Sequence, residues 1–522
     1  WSTKLDYTET SSADYYNTFN GSLSAVTSIL NRKWLTQYST DNLQFSALLH
    51  DYQLLVTTEA SLPYYKLPEI KLNYQSQQRP KFARNTTSNP VHNILNKQQL
   101  SFLPQYDTQP AVDLYTIDTA KYDLLTYALK SNYTYFLKTQ TTANDRNKTN
   151  TNLNKDYLYG SRLYLEPSIS MNFSQDNYYV IPKISWYNTF YALPDNPNNN
   201  TEQNTTLQNP TISIPTLSID SAWRFNLAQT SAGISANITP RLYYLYIPEV
   251  VQDHIPLFDT WHRSNSLFTN NHFSGGDRLG DANRLSSALS IDINQHNKRM
   301  LTASIGVINY MQDRKVKMPS GVDELFYTRT SSPYITNLTY YINDNWLFST
   351  SQTIDNNYDL ENSYKRELVY NHSHDNRFAL AHTFSQRNNE QEFAHLSFIK
   401  KITDYVSLIG AHKVDLKNAD RDNPQTITSI FGIEYTSCCW QARLVGYTGT
   451  KKYYGVVDNF NIAPADNSEP TTSGVILEIV LKQLGSLPSF NFSSDTQTAI
   501  DPKTLLNEHV LGYTHHAQIY NQ

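Results

Sequence analysis

The chain has 522 residues, of which 39% are hydrophobic and 17% charged, with a net charge of −5 and a mean hydropathy of −0.54. That is too polar for a bundle of membrane-crossing helices, and no stretch approaches the ~18 consecutive apolar residues one such helix needs. Aromatics at 13%, with 39 Tyr, exclude a disordered chain, and the charge balance offers nothing to nucleic acid. Abundant Tyr, Asn, Thr and Ser with short apolar runs suit a β-barrel with a wet lumen and a lipid-facing wall ringed by aromatics. There is no signal peptide, and the chain starts at Trp1 inside a patterned segment, so it reads as an excerpt of a longer precursor.

Strands are predicted first at 2–8, 30–38, 43–55, 68–75, 122–138, 161–173 and 178–192. Glu69-Ile70-Lys71-Leu72-Asn73-Tyr74 and Leu163-Tyr164-Leu165-Glu166 alternate well. Two segments among them read as unstructured, Ser76–Lys121 and Pro194–Pro210. Further strands are predicted at 217–227, 240–246, 285–294, 300–310, 335–341, 346–353, 364–371, 377–385, 393–400, 405–413, 427–435, 439–448 and 474–481. Leu289-Ser290-Ile291-Asp292-Ile293-Asn294 shows the period of two that separates an apolar face from a polar one.

The connections sort by parity. Gln295–Arg299, Ile342–Asn345, His372–Asn376, Lys401–Asp404 and Thr436–Cys438 are tight. Between them lie Ile247–Arg284, Met311–Tyr334, Ile354–Ser363, Gln386–Glu392, Leu416–Thr426 and Gly449–Ser473, all longer. Short turns on one rim and long loops on the other define an outer-membrane barrel, short periplasmic and long extracellular. The expected fold is therefore all-β, a large antiparallel transmembrane barrel over 1–481 with a C-terminal tail over 482–522 and about twenty strands.

Several segments stand out as motifs: Arg162-Leu-Tyr-Leu-Glu-Pro167, Thr239-Pro-Arg-Leu-Tyr-Tyr-Leu-Tyr-Ile-Pro248, Ile255-Pro-Leu-Phe-Asp-Thr260, Leu267-Phe268 and Phe273-Ser-Gly-Gly-Asp-Arg-Leu-Gly-Asp-Ala-Asn283. Further along come Tyr435-Thr-Ser-Cys-Cys-Trp440 with Arg443 and Gly446-Tyr447, Leu477-Glu-Ile-Val-Leu481 with Leu484-Gly485, and Leu505-Leu506 to Gly512-Tyr513. In this order they resemble the LptD family of lipopolysaccharide-assembly proteins. The resemblance implies a barrel of about 26 strands, of which the first are missing here together with a periplasmic N-terminal domain. The insertion Ser76–Lys121 departs from the family pattern, since it falls on the short-turn rim. The implied function is transport without covalent chemistry or cofactor. Lipopolysaccharide arrives from a periplasmic bridge (LptA-like) onto the N-terminal domain. Its lipid part enters the membrane through a lateral opening between first and last strands, and an LptE-like lipoprotein plugs the lumen. The rival class is a passive or gated solute pore, which neither the Cys pair nor the Phe273–Asn283 signature suits.

Cys438 and Cys439 are the sharpest candidate site. Neighbours on an extended chain point to opposite sides, and a bond between adjacent Cys closes a strained ring, so they are not expected to pair with each other. They sit at a short turn, on the oxidising periplasmic side. By resemblance each bonds a Cys of the missing domain; otherwise they are two inert thiols. By the same resemblance Leu267, Phe268, Phe273, Gly275, Gly276, Asp277 and Arg278 belong to a loop that folds into the lumen and meets the plug, where an ordinary extracellular loop is the plainer reading. By the same resemblance the last strand, Val475, Ile476, Leu477, Glu478, Ile479, Val480 and Leu481, is expected to form one wall of the lateral gate, with Val475, Leu477, Ile479 and Leu481 toward lipid and Glu478 toward the lumen. Without a first strand to close on, 474–481 is expected to be poorly paired on its outer edge. His372-Ser-His374-Asp375 and His515-His516 read as solvated polar clusters rather than zinc sites. Asp259 and His262 offer no alignable nucleophile, so no catalytic or metal site is expected.

Overall fold

A computed structural model describes residues 1–7, 9, 29–54, 64–76, 124–137, 159–175, 177–193, 209–227, 233–262, 267–296, 298–318, 324–355, 362–373, 376–386, 391–420, 423–450, 471–481, 485–486 and 490–493. The strands are β1 (Ser2–Tyr7), β2 (Ile29–Ser39), β3 (Leu43–Leu54), β4 (Tyr65–Gln75), β5 (Leu125–Leu137), β6 (Tyr159–Met171), β7 (Phe173–Gln175), β8 (Tyr178–Ala192), β9 (Thr211–Trp223), β10 (Phe225–Leu227), β11 (Ile234–Ile247) and β12 (Ala282–Gln295). There follow β13 (Lys298–Tyr310), β14 (Tyr334–Tyr341), β15 (Trp346–Ile354), β16 (Ser363–Ser373), β17 (Asn376–Ser385), β18 (Gln391–Lys401), β19 (Val406–Asp420), β20 (Asn423–Thr436), β21 (Trp440–Thr450), β22 (Thr471–Leu481), β23 (Gly485–Ser486) and β24 (Phe490–Ser493). A short helix, α1 (Glu324–Thr328), lies in the β13–β14 connection.

Among the described residues all 24 strands form one sheet, and each long strand pairs antiparallel with the next in sequence. β7 continues β6 beyond Asn172, and β10 continues β9 beyond Arg224. With those joined, and the short β23 and β24 set aside, every remaining strand matches one predicted from periodicity. The alternation decides the two faces. On β12 the inward residues Arg284, Ser286, Ser290 and Asp292 are buried and polar, while Leu289 between them is exposed outward. On β8 Tyr187 and Tyr191 are buried inward, whereas Ile184, Trp186 and Phe190 are exposed. An exterior of exposed Leu, Ile, Trp and Phe around an ionic interior is stable only where the surrounding medium is hydrocarbon. Inside, charges pair across strands: Arg241 grips Asp220 at 3.0 and 2.9 Å, and Arg443 meets Glu434 at 2.5 Å. Tyr405, Tyr435 and Trp440 cluster at the short-turn rim, with ring centroids 6.1 and 4.9 Å apart.

Two expectations need correction. The segment Leu416–Thr426 is not a long loop: β19 and β20 run on to Asp420 and Asn423, which pair with each other, with register shifts past Lys413 and Asp415. Polar side chains there ended the hydrophobic pattern, but the ladder's hydrogen bonds do not require apolar residues. Nor is 474–481 bare on its outer edge. Chain beyond Leu481 folds back, pairing Phe490–Ser493 with Gly474–Leu477 and Gly485–Ser486 with Val480–Leu481, so 482–522 is not wholly a tail after the last strand. An unsatisfied edge in lipid costs several kcal/mol per group, and this return covers part of it. Among the described residues β1 pairs only with β2. Residues 77–121, most of Pro194–Pro210, His374, Asp375 and His515-His516 lie outside the described residues.

Candidate functional site: a loop seated on the inner wall

The chain between β11 and β12 turns away from the ladder at Pro248, which has no N–H to donate. Its apolar residues Ile255, Phe258 and Leu279 are buried in one cluster with Tyr64, Phe136, Tyr187, Tyr191, Ile212, Ile214 and Leu245 from the inward face of the wall. Phe258 stacks on Phe136, with centroids 4.5 Å apart and planes at 4°, and meets Tyr64 edge-on at 5.0 Å.

Beside this cluster lies a buried ionic centre. Asp277 is 0% exposed and accepts from five donors: Arg162 Nη1 at 2.6 Å, Tyr191 Oη at 2.9 Å, the amides of Phe258 and Asp259 at 2.8 and 3.0 Å, and Thr260 Oγ1 at 3.1 Å. Arg162, from β6 and 1% exposed, also binds Asp259 at 2.6 and 3.2 Å, and Lys66 of β4 reaches Asp259 at 2.9 Å. Lys66 then meets Glu69 at 3.3 Å. Burial alone raises the Asp259 carboxyl, but the adjacent Arg162 and Lys66 outweigh it and hold the group far below the usual carboxylate range. A buried charge is tolerable only when paired and hydrogen-bonded, and here every oxygen of Asp277 and Asp259 has a donor.

Backbone geometry fits the same purpose. Gly275 has φ +70°, and a Cβ there would fall 2.3 Å from the Asp259 carbonyl oxygen. That close approach lets the chain reverse and present Gly276 O to Tyr187 Oη at 2.6 Å. Gln252 clamps the two arms of the loop, donating to Leu279 O at 2.7 Å and accepting from Leu279 N at 3.0 Å. Arg278 Nη1 donates to Ile255 O at 3.1 Å. The next long connection locks on through Asp281, which accepts from the amides of Lys315 and Val316.

The residues singled out in the sequence thus gather here, but largely buried. Leu267 lies against Gly306 of β13, Phe273 is 2% exposed, and Phe268 sits under the Arg241 guanidinium at 3.8 Å. Their side chains hold the loop to its own wall; the exposed positions of the loop are others, among them Val251 and His254. Sequence reasoning gave no role to Lys66, Arg162, Tyr187, Tyr191 or Gln252. The available signal was a strand charge in inward register, as at Arg162. Asp259 is paired with Arg162 and Lys66, and His262 lies edge-on to Phe326 at 4.0 Å; the serines nearest His262 in the chain, Ser264 and Ser266, lie outside the described residues. Among the described residues no group of three His, Cys, Asp or Glu could hold a metal. Cys438 and Cys439 are exposed in the turn between β20 and β21, their sulfurs 2.8 Å apart and not in a disulfide. Val475 is 42% exposed on the outer face of β22.

An ionic lumen, a lipid-facing exterior and a long loop folded onto the inner wall define a transmembrane barrel of the bacterial outer membrane. The model of the family "LptD: LPS transport system D" matches residues 1–408, and the chain belongs to that family. Relatives named LPS-assembly protein LptD are 25% identical over 502 residues in Hahella chejuensis, covering 94% of this chain and 53% of the relative. In Pseudomonas aeruginosa the identity is 27% over 524 residues, covering 93% and 52%. The chain spans about half the length of these relatives. Among solved structures, the ferric enterobactin receptor of Pseudomonas aeruginosa is 8% identical with a TM-score of 0.36, covering 86% of this chain and 70% of the receptor.

Proposed function

We propose that this chain is the membrane barrel of a translocon that inserts lipopolysaccharide into the outer leaflet through a lateral gate. The observation that carries the reading is membership of the LPS-transport family across residues 1–408. The outward apolar face and polar inward face of the wall suit it, because a lipid can leave a barrel sideways only at a seam, where two strands part without breaking the chain that connects them. Lipopolysaccharide reaches the barrel from an LptA-like periplasmic bridge by way of an N-terminal domain, its sugar crosses the polar lumen, and no covalent chemistry or cofactor is involved. A lumen of this circumference is too wide for side chains to fill, so an LptE-like lipoprotein occupies it, resting on the seated loop 248–281. Cys438 and Cys439, exposed at the short-turn rim, each take a disulfide partner from the N-terminal domain.

Photo-crosslinking residues at the exposed loop positions Val251 and His254 of the full-length protein test this reading. The expected products are adducts with a periplasm-derived lipoprotein. A native complex that conducts ions as a wide, unplugged pore contradicts it and favours a solute channel.

A further inference from the structure

Near the short-turn rim the outer wall is apolar, as Leu408, Ile433, Leu444 and Leu477 show across β19 to β22. Toward the long-loop rim polar rows interrupt it: Thr350, Arg366 and His382 adjoin across β15 to β17, and a second such row crosses β18 to β22. Leu396, His412, Ser429, Thr448 and Ser473 are direct cross-strand neighbours from β18 to β22, in the same outward register as the exposed Phe431 and Leu444. His412 Nδ1 and Ser429 Oγ lie 2.6 Å apart. The next row toward the short-turn rim reads Phe398, Gly410, Phe431, Gly446 and Val475. Phe398 leans over Gly410, but at Gly446 an added Cβ would meet nothing nearer than Phe431 O at 3.7 Å. A missing side chain beside two aromatic rings hollows the wall into a groove of about 420 Å³, lined by Leu396, Phe398, His412, Phe431, Gly446 and Thr448.

We propose that this groove docks one acyl chain of lipopolysaccharide on the outside of the barrel, its linkage carbonyl held by the hydroxyls of Ser429 and Thr448. His412 and Ser429 meet one another in this lipid-facing row, and where His412 Nδ1 donates, the Ser429 hydroxyl, like that of Thr448, keeps a donor that a carbonyl accepts. The groove lies on the long-loop side of the wall, which in outer-membrane barrels faces the outer leaflet. From Thr448 down to Trp440 the strand runs about 26 Å, room for an extended chain against Leu444 and Phe431. Both rows continue onto Ser473 and Val475 of β22, which among the described residues is followed on its far edge by β23 and β24, so a lipid leaving the seam on this side passes the groove. That choice of occupant rests on the proposed transport function.

The test uses the full-length protein in phospholipid nanodiscs doped with lipopolysaccharide, with p-benzoylphenylalanine replacing Phe431 or, far from it in the strand order on β12, the outward Leu289. Lipopolysaccharide adducts several-fold more abundant at 431 than at 289 are expected. Ser429→Ala with Thr448→Val should reduce that excess about threefold, the usual worth of a hydrogen bond in a membrane. Gly446→Leu, which fills the hollow, should abolish it. Equal adducts at both positions, or an excess at 431 made of phospholipid, overturns the proposal. No transport step enters this readout, so a failed delivery assay with a persisting excess condemns the transport reading and leaves the groove as a lipopolysaccharide site.

Discussion

Asp277→Ala should release the loop from the inner wall. Asp277 is wholly buried and receives five hydrogen bonds, one from a guanidinium that is itself 1% exposed. Removing one partner of a buried ion pair costs roughly 3–5 kcal/mol, because the remaining charge stays desolvated. Arg162 keeps Asp259, which places the loss near 4 kcal/mol rather than higher. At 1.4 kcal/mol per tenfold, the opened population of the loop rises about 10³-fold. Asp277→Asn keeps the shape and one acceptor and should lose about half as much free energy. Hydrogen exchange of the full-length protein reads this directly, through the amides of Phe258 and Asp259. Exchange in 255–262 that is unchanged by Asp277→Ala refutes the ionic centre as the fastening.

Gly275→Ala should open the same segment by at least about 2 kcal/mol, since an L residue at φ +70° is strained and its Cβ overlaps the Asp259 carbonyl; wild-type exchange rates would show that the backbone there yields. Burial first, then His262, Arg284 and Arg314, hold His272 well below the ordinary histidine value. Only the released loop then takes the proton, so stability is full above about pH 6.5 and falls as pH drops below it. Asp259, held low, contributes fully above about pH 4 and loses that contribution progressively as pH falls further. His272→Phe should flatten the slope between pH 6.5 and 5 in loop-protection measurements, and an unaltered slope assigns it to another group. On whole cells, a label at Lys401 should be protected and one at Asp458 reactive; the reverse inverts the two rims.

Much of the fold was legible because a barrel wall is written in a period of two. Leu289-Ser290-Ile291-Asp292-Ile293 announces both faces by itself, and the parity of loop lengths announces the rims. Strand ends were less legible. Beyond Lys413 the apolar pattern stops while β19 runs on to Asp420, because ladder hydrogen bonds form between polar residues as readily as between apolar ones. The seat of the loop was half visible. Gly275 and Asp277 stood out in the sequence, but their partners Arg162, Tyr191 and Lys66 lie on strands far away in the chain, and a single polar residue in a strand does not say what it faces. The return of Phe490–Ser493 onto β22 carried no pattern long enough to read.

Locking the seam tests the transport account most directly. In the full-length protein, a Cys in place of Val475 on β22 and another at the facing position of the first strand should crosslink under oxidation. With the crosslink complete, new lipopolysaccharide should cease to reach the cell surface and should resume on reduction. Undiminished surface lipopolysaccharide with the seam quantitatively locked would contradict passage between the first and last strands.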